Sequence, residues 1–178
     1  MNTVKILCKY ANGNCTTDEE CNTPLIHAAS NGHVEVVRVL LEGGVNADIT
    51  NAEQRTALHC AAFYGYLGVC RLLLDWGVKV DHLEIGKNTP LHYAARKGHL
   101  SLAKLLVERG ADGRLQDGFG HTPLHYAAIN GYLSMAKLLV ERGADVSVKN
   151  NNGLTASDVA RRWERKDVAE WLDSVGRG

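Results

Sequence analysis

Eight histidines in a chain of 178 residues raise the question of metal binding or acid–base catalysis, because imidazole changes charge near neutral pH. Their spacing answers much of it. His27, His59, His92 and His125 are read as one recurring Leu-His site, and His33 and His99 each follow a glycine. His82 and His121 lie off these recurring positions, and neither has a second ligand at metal spacing. Cys8, Cys15, Cys21 and His27 are separated by long intervals and include no Cys-x-x-Cys pair, whereas zinc sites favour short paired spacings. No metal and no cofactor is therefore expected. A phosphate-cradling glycine loop, a nucleophile elbow and a metalloprotease helix motif are all missing from the sequence. For acid, base and anion contacts the remaining candidates are Tyr64, His121, Glu53 and Arg109. Acid–base work needs them within hydrogen-bond reach of one another's substrate atoms, which sequence alone does not give.

The elements that carry these residues repeat. Thr23, Thr56, Thr89, Thr122 and Thr155 follow one another at a constant interval of 33, and Gly32, Gly65, Gly98 and Gly131 keep the same register. The fullest copies are Asn88 to Asp112 and His121 to Asp145. In the first of these, Thr89 reads as an N-cap with Pro90 at the first helical position, where a missing N–H costs nothing. Leu91, Ala94 and Ala95 recur at helical spacing, and the alanines let a second helix approach closely. Gly98 ends that helix. Leu100, Leu102, Ala103, Leu105 and Leu106 form the stripe of the next helix, Gly110 ends it, and Asp117, Gly118 and Gly120 turn the chain back. One such unit leaves nearly as much apolar surface exposed as it hides, so it is stable only when stacked on copies of itself.

Thr-Pro-Leu-His, two alanines, Gly-His, an apolar run and Gly-Ala-Asp at a period of 33 resemble the ankyrin repeat, from about Asp18 to about Leu172. The resemblance implies an all-α solenoid of antiparallel helix pairs linked by β-hairpin-like loops, with about five repeats and a truncated N-terminal helix. The expected boundaries within a single domain at 1–178 are a partial repeat and loop at 1–21, repeats at 22–54, 55–87, 88–120 and 121–153, and a capping repeat at 154–178. Val4, Leu7 and Cys8 align with Val37, Leu40 and Leu41 and carry the expectation of the N-terminal helix. In the family the Leu-His histidine hydrogen-bonds between neighbouring repeats, so these imidazoles are expected to be structural.

Family positions on the concave face supply the binding candidates: Phe63, Tyr64, Trp76, Ile85, Phe119 and His121, with the basic residues Arg96, Lys97, Arg109 and Arg142. Aromatic residues and arginine dominate binding hot spots, and the repeat does not need them there to fold. The plainer alternative is that Trp76 or Phe119 only packs over a neighbouring hairpin, because scattered exposed apolar groups are normal. Glu19, Glu20 and Glu53 fall toward the N-terminal end and the basic residues toward the C-terminal end, a gradient that would orient an elongated partner. The expected partner is a protein or peptide with acidic groups facing the basic half, bound by a monomer; the alternative is a small-molecule or catalytic site in the same groove.

A formal net charge of zero and a pI near 7.1 give no general attraction to nucleic acid or to an anionic membrane. No apolar run approaches the roughly 20 residues that span a bilayer, and Met1 to Tyr10 is short and broken for a signal peptide. Five cysteines, an odd number, suit a reducing compartment better than a disulfide framework. The expected location is intracellular, cytoplasmic or nuclear, with the sequon at Asn14 unused.

Overall fold

A computed structural model describes residues 19–176, and among them lie ten helices in five pairs and no β-strand. The pairs are α1 (Pro24–Ser30) with α2 (Val34–Glu42), α3 (Ala57–Tyr64) with α4 (Leu67–Trp76), and α5 (Pro90–Lys97) with α6 (Leu100–Glu108). They continue with α7 (Pro123–Asn130) and α8 (Leu133–Glu141), then α9 (Ala156–Arg162) and α10 (Lys166–Val175). Two or three residues join the helices of a pair, too few for anything but an antiparallel turn. First helices stack on first helices and second helices on second helices, giving the all-α solenoid that the repeat predicts. The expected N-terminal helix around Val4 to Cys8 lies outside the described residues.

Each first helix starts on a threonine that accepts a backbone N–H. In three repeats the third helical residue is a histidine whose Nδ1 accepts the cap threonine's own N–H, so imidazole fills the role that Glu or Gln plays in a capping box. That bond puts the proton on Nε2, which donates to the carbonyl of the next repeat: His59 to Asn88 at 3.2 Å, His92 to His121 at 3.1 Å and His125 to Leu154 at 3.1 Å. Burial pushes His59 and His92 down to about 4 and lowers His125 as well, so the tie between repeats is made by neutral rings. His27 departs from the expectation. It stands one residue beyond this site and is exposed, and the equivalent place is taken by Ile26, which is 1% exposed. Ile26 can neither cap Thr23 nor reach the next repeat by hydrogen bond, so the first helix pair is tied to the second by packing at this point.

The core is a set of registers read across the stack. Leu25, Leu58, Leu91 and Leu124 are buried on the first helices, and Leu40, Leu73, Leu106, Leu139 and Leu172 on the second. Burial of a leucine side chain contributes about 2 kcal/mol, and each of these is shared between repeats. Cys70 takes the place of Val37 in this register, and burial pushes its thiol up to about 12, which makes it an inert apolar group.

Stacking also explains a glycine. Gly98 has φ +76°, and a Cβ on it would lie 2.8 Å from the ring of Tyr132 in the following repeat. In the last pair the equivalent residue is Glu164, at φ 59°, in the same left-handed conformation. No described repeat follows to press against it, so a side chain is tolerated at the cost of the conformation alone.

The loops between pairs are hairpin-like turns. Asn51, Glu84, Asp117 and Asn150 each donate N–H to the carbonyl four residues on, at 2.9–3.2 Å. One backbone bond links each tip to the next: Ala52 to Glu20, Ile85 to Glu53, Gly118 to Gly86 and Asn151 to Phe119. These turns project as fingers beside the ends of the first helices, and that row positions the candidate site.

Candidate functional site

Two clusters, two repeats apart, occupy equivalent places in the stack. The first surrounds a cavity of about 210 Å³ between the first two helix pairs. Its lining includes Phe63, Tyr64 and Tyr93, the buried His59, and the finger acids Glu20 and Glu53. Phe63 lies edge-on to Tyr64 at 5.0 Å and to Tyr93 at 5.7 Å between ring centroids. Arg55 enters the same cavity, paired to Glu53 at 2.6 Å and with its guanidinium 5.6 Å from the centre of Tyr93. Lys97 reaches over Phe63 at 4.3 Å. Cys60 also lines the cavity; it stands where later repeats carry Tyr93 and Tyr126, and burial raises its thiol above the ordinary range.

The second cluster is closed. Buried Asp117 accepts the N–H groups of Phe119 and His121 on Oδ1 at 2.9 and 2.8 Å, and the Tyr126 hydroxyl on Oδ2 at 2.5 Å. Burial, and then that hydrogen bond, push Tyr126 well above the usual phenol range, so it remains a donor. Asn150 uses its Oδ1 for the N–H groups of Asn152 and Leu154, which turns its Nδ2 toward His121 Nε2 at 3.1 Å. His121 therefore carries its proton on Nδ1, a buried atom with no hydrogen-bond partner, 3.9 Å from Asp117 Oδ1. Burial lowers its pKa and Arg96 lowers it further, against the pull of Asp117. Arg96 lies 4.7 Å from the centre of the Tyr126 ring, and Phe119 packs near His121 at 6.4 Å.

These contacts divide the residues expected from sequence. Phe63, Tyr64, Glu53 and Lys97 come together at the first cluster, and Arg96, Phe119 and His121 at the second. Ile85 and Phe119 project from adjacent fingers, 64% and 69% exposed, on either side of the Gly118–Gly86 bond. Trp76 and Arg109 belong to the ends of the second helices, where Arg109 pairs with Asp75 of α4 at 2.8 Å. Arg142 lines a separate depression with Gly110, Asp112 and Arg114. The candidate acid–base set is thus spread over three places: Tyr64 and Glu53 at one cavity, His121 in the next network, Arg109 on the second helices. In that network Asp117 already accepts three hydrogen bonds, and His121 Nε2 one, from donors of the scaffold. Among the described residues no group of three or more His, Cys, Asp or Glu is arranged to hold a metal ion, and no helix is long and apolar enough to cross a membrane.

Sequence reasoning missed Tyr93 and Tyr126, which are 4% and 5% exposed. The signal was present, since a tyrosine on the buried face of a helix needs a partner for its hydroxyl, and a residue able to provide one, Asp117, stands nine positions earlier. No curated protein gives a significant match to the chain. A family model described as ankyrin repeats, three copies, matches residues 1–84, 44–117 and 91–176. With the period of 33, the threonine-capped helix pairs and the histidine ties between neighbours, this match over nearly the whole sequence shows that the chain belongs to the ankyrin repeat family.

Proposed function

We propose that this chain binds a protein or peptide along the groove formed by its fingers and first helices. Ankyrin repeats are in general protein–protein interaction modules. The observation that carries the reading for this groove is the row of exposed apolar groups Tyr64, Ile85 and Phe119, at 55%, 64% and 69% exposure, beside first helices whose buried histidines are bonded within the stack. Large apolar side chains at such exposure weaken no core when removed, and their association with basic neighbours matches the residue types of hot spots. Arg96 and Lys97 are exposed at the ends of the same helices and face acidic groups of the partner in this reading. Trp76, Arg109 and Arg142 are left out of the anchor set because all three stand at the ends of second helices, Trp76 as the last helical residue and the two arginines as C-caps.

The test is the affinity of a partner captured from the source cell, measured by calorimetry for the wild-type chain and for the double substitution Tyr64→Ala, Phe119→Ala. At least a tenfold loss with an unchanged melting temperature is expected, about 1.4 kcal/mol or more. An affinity unchanged by both substitutions would overturn this choice of groove.

A further inference from the structure

We infer that the cavity between the first two helix pairs is a specific pocket for one basic side chain of the partner, a guanidinium in the first place. The inference rests on the groove reading above and names what the partner brings to it. The cavity exists because Cys60 replaces the tyrosine found at the same position of the next two repeats, leaving open a volume that a ring fills elsewhere. At about 210 Å³ it is smaller than the roughly 300 Å³ at which pockets for drug-sized ligands begin, and suits the end of a single side chain.

Its chemistry selects a cation. The formally charged side chains in the lining are Glu20, Glu53 and Arg55, which sum to −1, and buried His59 contributes a neutral ring. Phe63, Tyr64 and Tyr93 supply aromatic surface, on which guanidinium stacks more readily than ammonium. Arg55 already demonstrates the mode inside the same cavity, held by Glu53 and lying over Tyr93. Glu20 accepts from Asn22 Nδ2 at 3.0 Å, and a carboxylate has room for further donors beyond that bond. At the second cluster Arg96 lies over Tyr126, so a partner's cation is repelled there, whereas Lys97, which reaches over Phe63, stands beside the first cavity but outside its lining.

The test titrates the full chain with acetyl-Gly-Arg-Gly-amide and with acetyl-Gly-Gln-Gly-amide, followed by amide proton–nitrogen spectra. Expected are saturable shifts at Glu53, Arg55 and Tyr64 with the arginine peptide, at least fivefold tighter than with the glutamine peptide. Glu20→Gln, an exposed change, should weaken the arginine peptide at least fivefold, and Cys60→Tyr, which restores the ring of the other repeats, should abolish the localised shifts. Equal response to both peptides, or arginine shifts that survive both substitutions, would overturn the pocket. A captured partner that loses affinity with Tyr64→Ala and Phe119→Ala but not with Glu20→Gln or Cys60→Tyr would overturn the pocket while keeping the groove. Arginine-specific binding at the cavity, with a captured partner indifferent to Tyr64→Ala and Phe119→Ala, would keep the pocket and overturn the groove reading.

Discussion

The first two helix pairs and the fourth use the same finger and first-helix positions, yet one ends in an open cavity and the other in a closed network. Tyr126 fills its place and gives its hydroxyl to Asp117, whose other oxygen holds Asp117's own finger turn, and Asn150 joins His121 to the same network. In the second pair the equivalent residue is Cys60, too small to reach a finger, and the cavity it lines is bordered by Glu20, Glu53 and Arg55. The repeat thus supplies a frame, and the size of a single side chain distinguishes the position filled by the protein from the one left open.

Acid should strike both regions alike and gives the largest effect. The folded-state pKa values of His59 and His92 are about 4, below the ordinary 6.5 of an unfolded chain. Above pH 6.5 both states are neutral and nothing is lost; between 6.5 and 4 the unfolded chain takes up protons that the folded one refuses, so stability falls as pH falls. The loss is complete below pH 4 and is on the order of 3 kcal/mol per histidine. Urea melts across pH 7.5 to 4.5 check it; a flat profile would remove the neutral inter-repeat tie from the account.

The difference between the regions can next be erased from the closed side. Tyr126→Cys should open a cavity there and leave Asp117 Oδ2 without its donor, at a cost of about 3 kcal/mol by thermal or urea unfolding. From the open side, Cys60→Tyr should raise stability by about 1 kcal/mol, since it fills a void near Asn51 without displacing the core. Destabilisation by Cys60→Tyr would mean that the cavity is not equivalent to the space that Tyr126 fills. The smallest effect concerns the fingers. Gln54 and Lys87 hold φ of 60° where Gly120 holds 75°, so Gln54→Gly and Lys87→Gly should each stabilise by about 0.5–1 kcal/mol. Gly120→Ala should do the reverse, its Cβ falling 2.7 Å from the backbone nitrogen of Asn151.

The period of 33, the threonine caps and the buried leucine registers were legible in the sequence because each is a local rule repeated four or five times. The structural role of His59, His92 and His125 was legible for the same reason. His27 was misread, since the period of 33 already pairs Ile26 with His59, and the one-residue offset within Pro-Leu-Ile-His moves the imidazole from the buried site to the surface. The candidate site was legible only in part. Its exposed members Tyr64, Ile85 and Phe119 and the half-buried Phe63 stood out by type, whereas Tyr93, Tyr126 and Cys60 matter through volume and a long-range partner, which need the stack to be assembled. The repeat positions also drew Trp76, Arg109 and Arg142 into the same groove; the pairing of Arg109 with Asp75 of the preceding second helix is a long-range contact that needs the assembled stack.

The most direct test of the account is hydrogen–deuterium exchange on the chain with and without a captured partner. Slowed exchange is predicted at residues 52–66, 83–88 and 118–121, with the second-helix ends at Trp76, Arg109 and Arg142 unchanged. Protection confined to those second-helix ends, with the fingers and first helices unaffected, would contradict it.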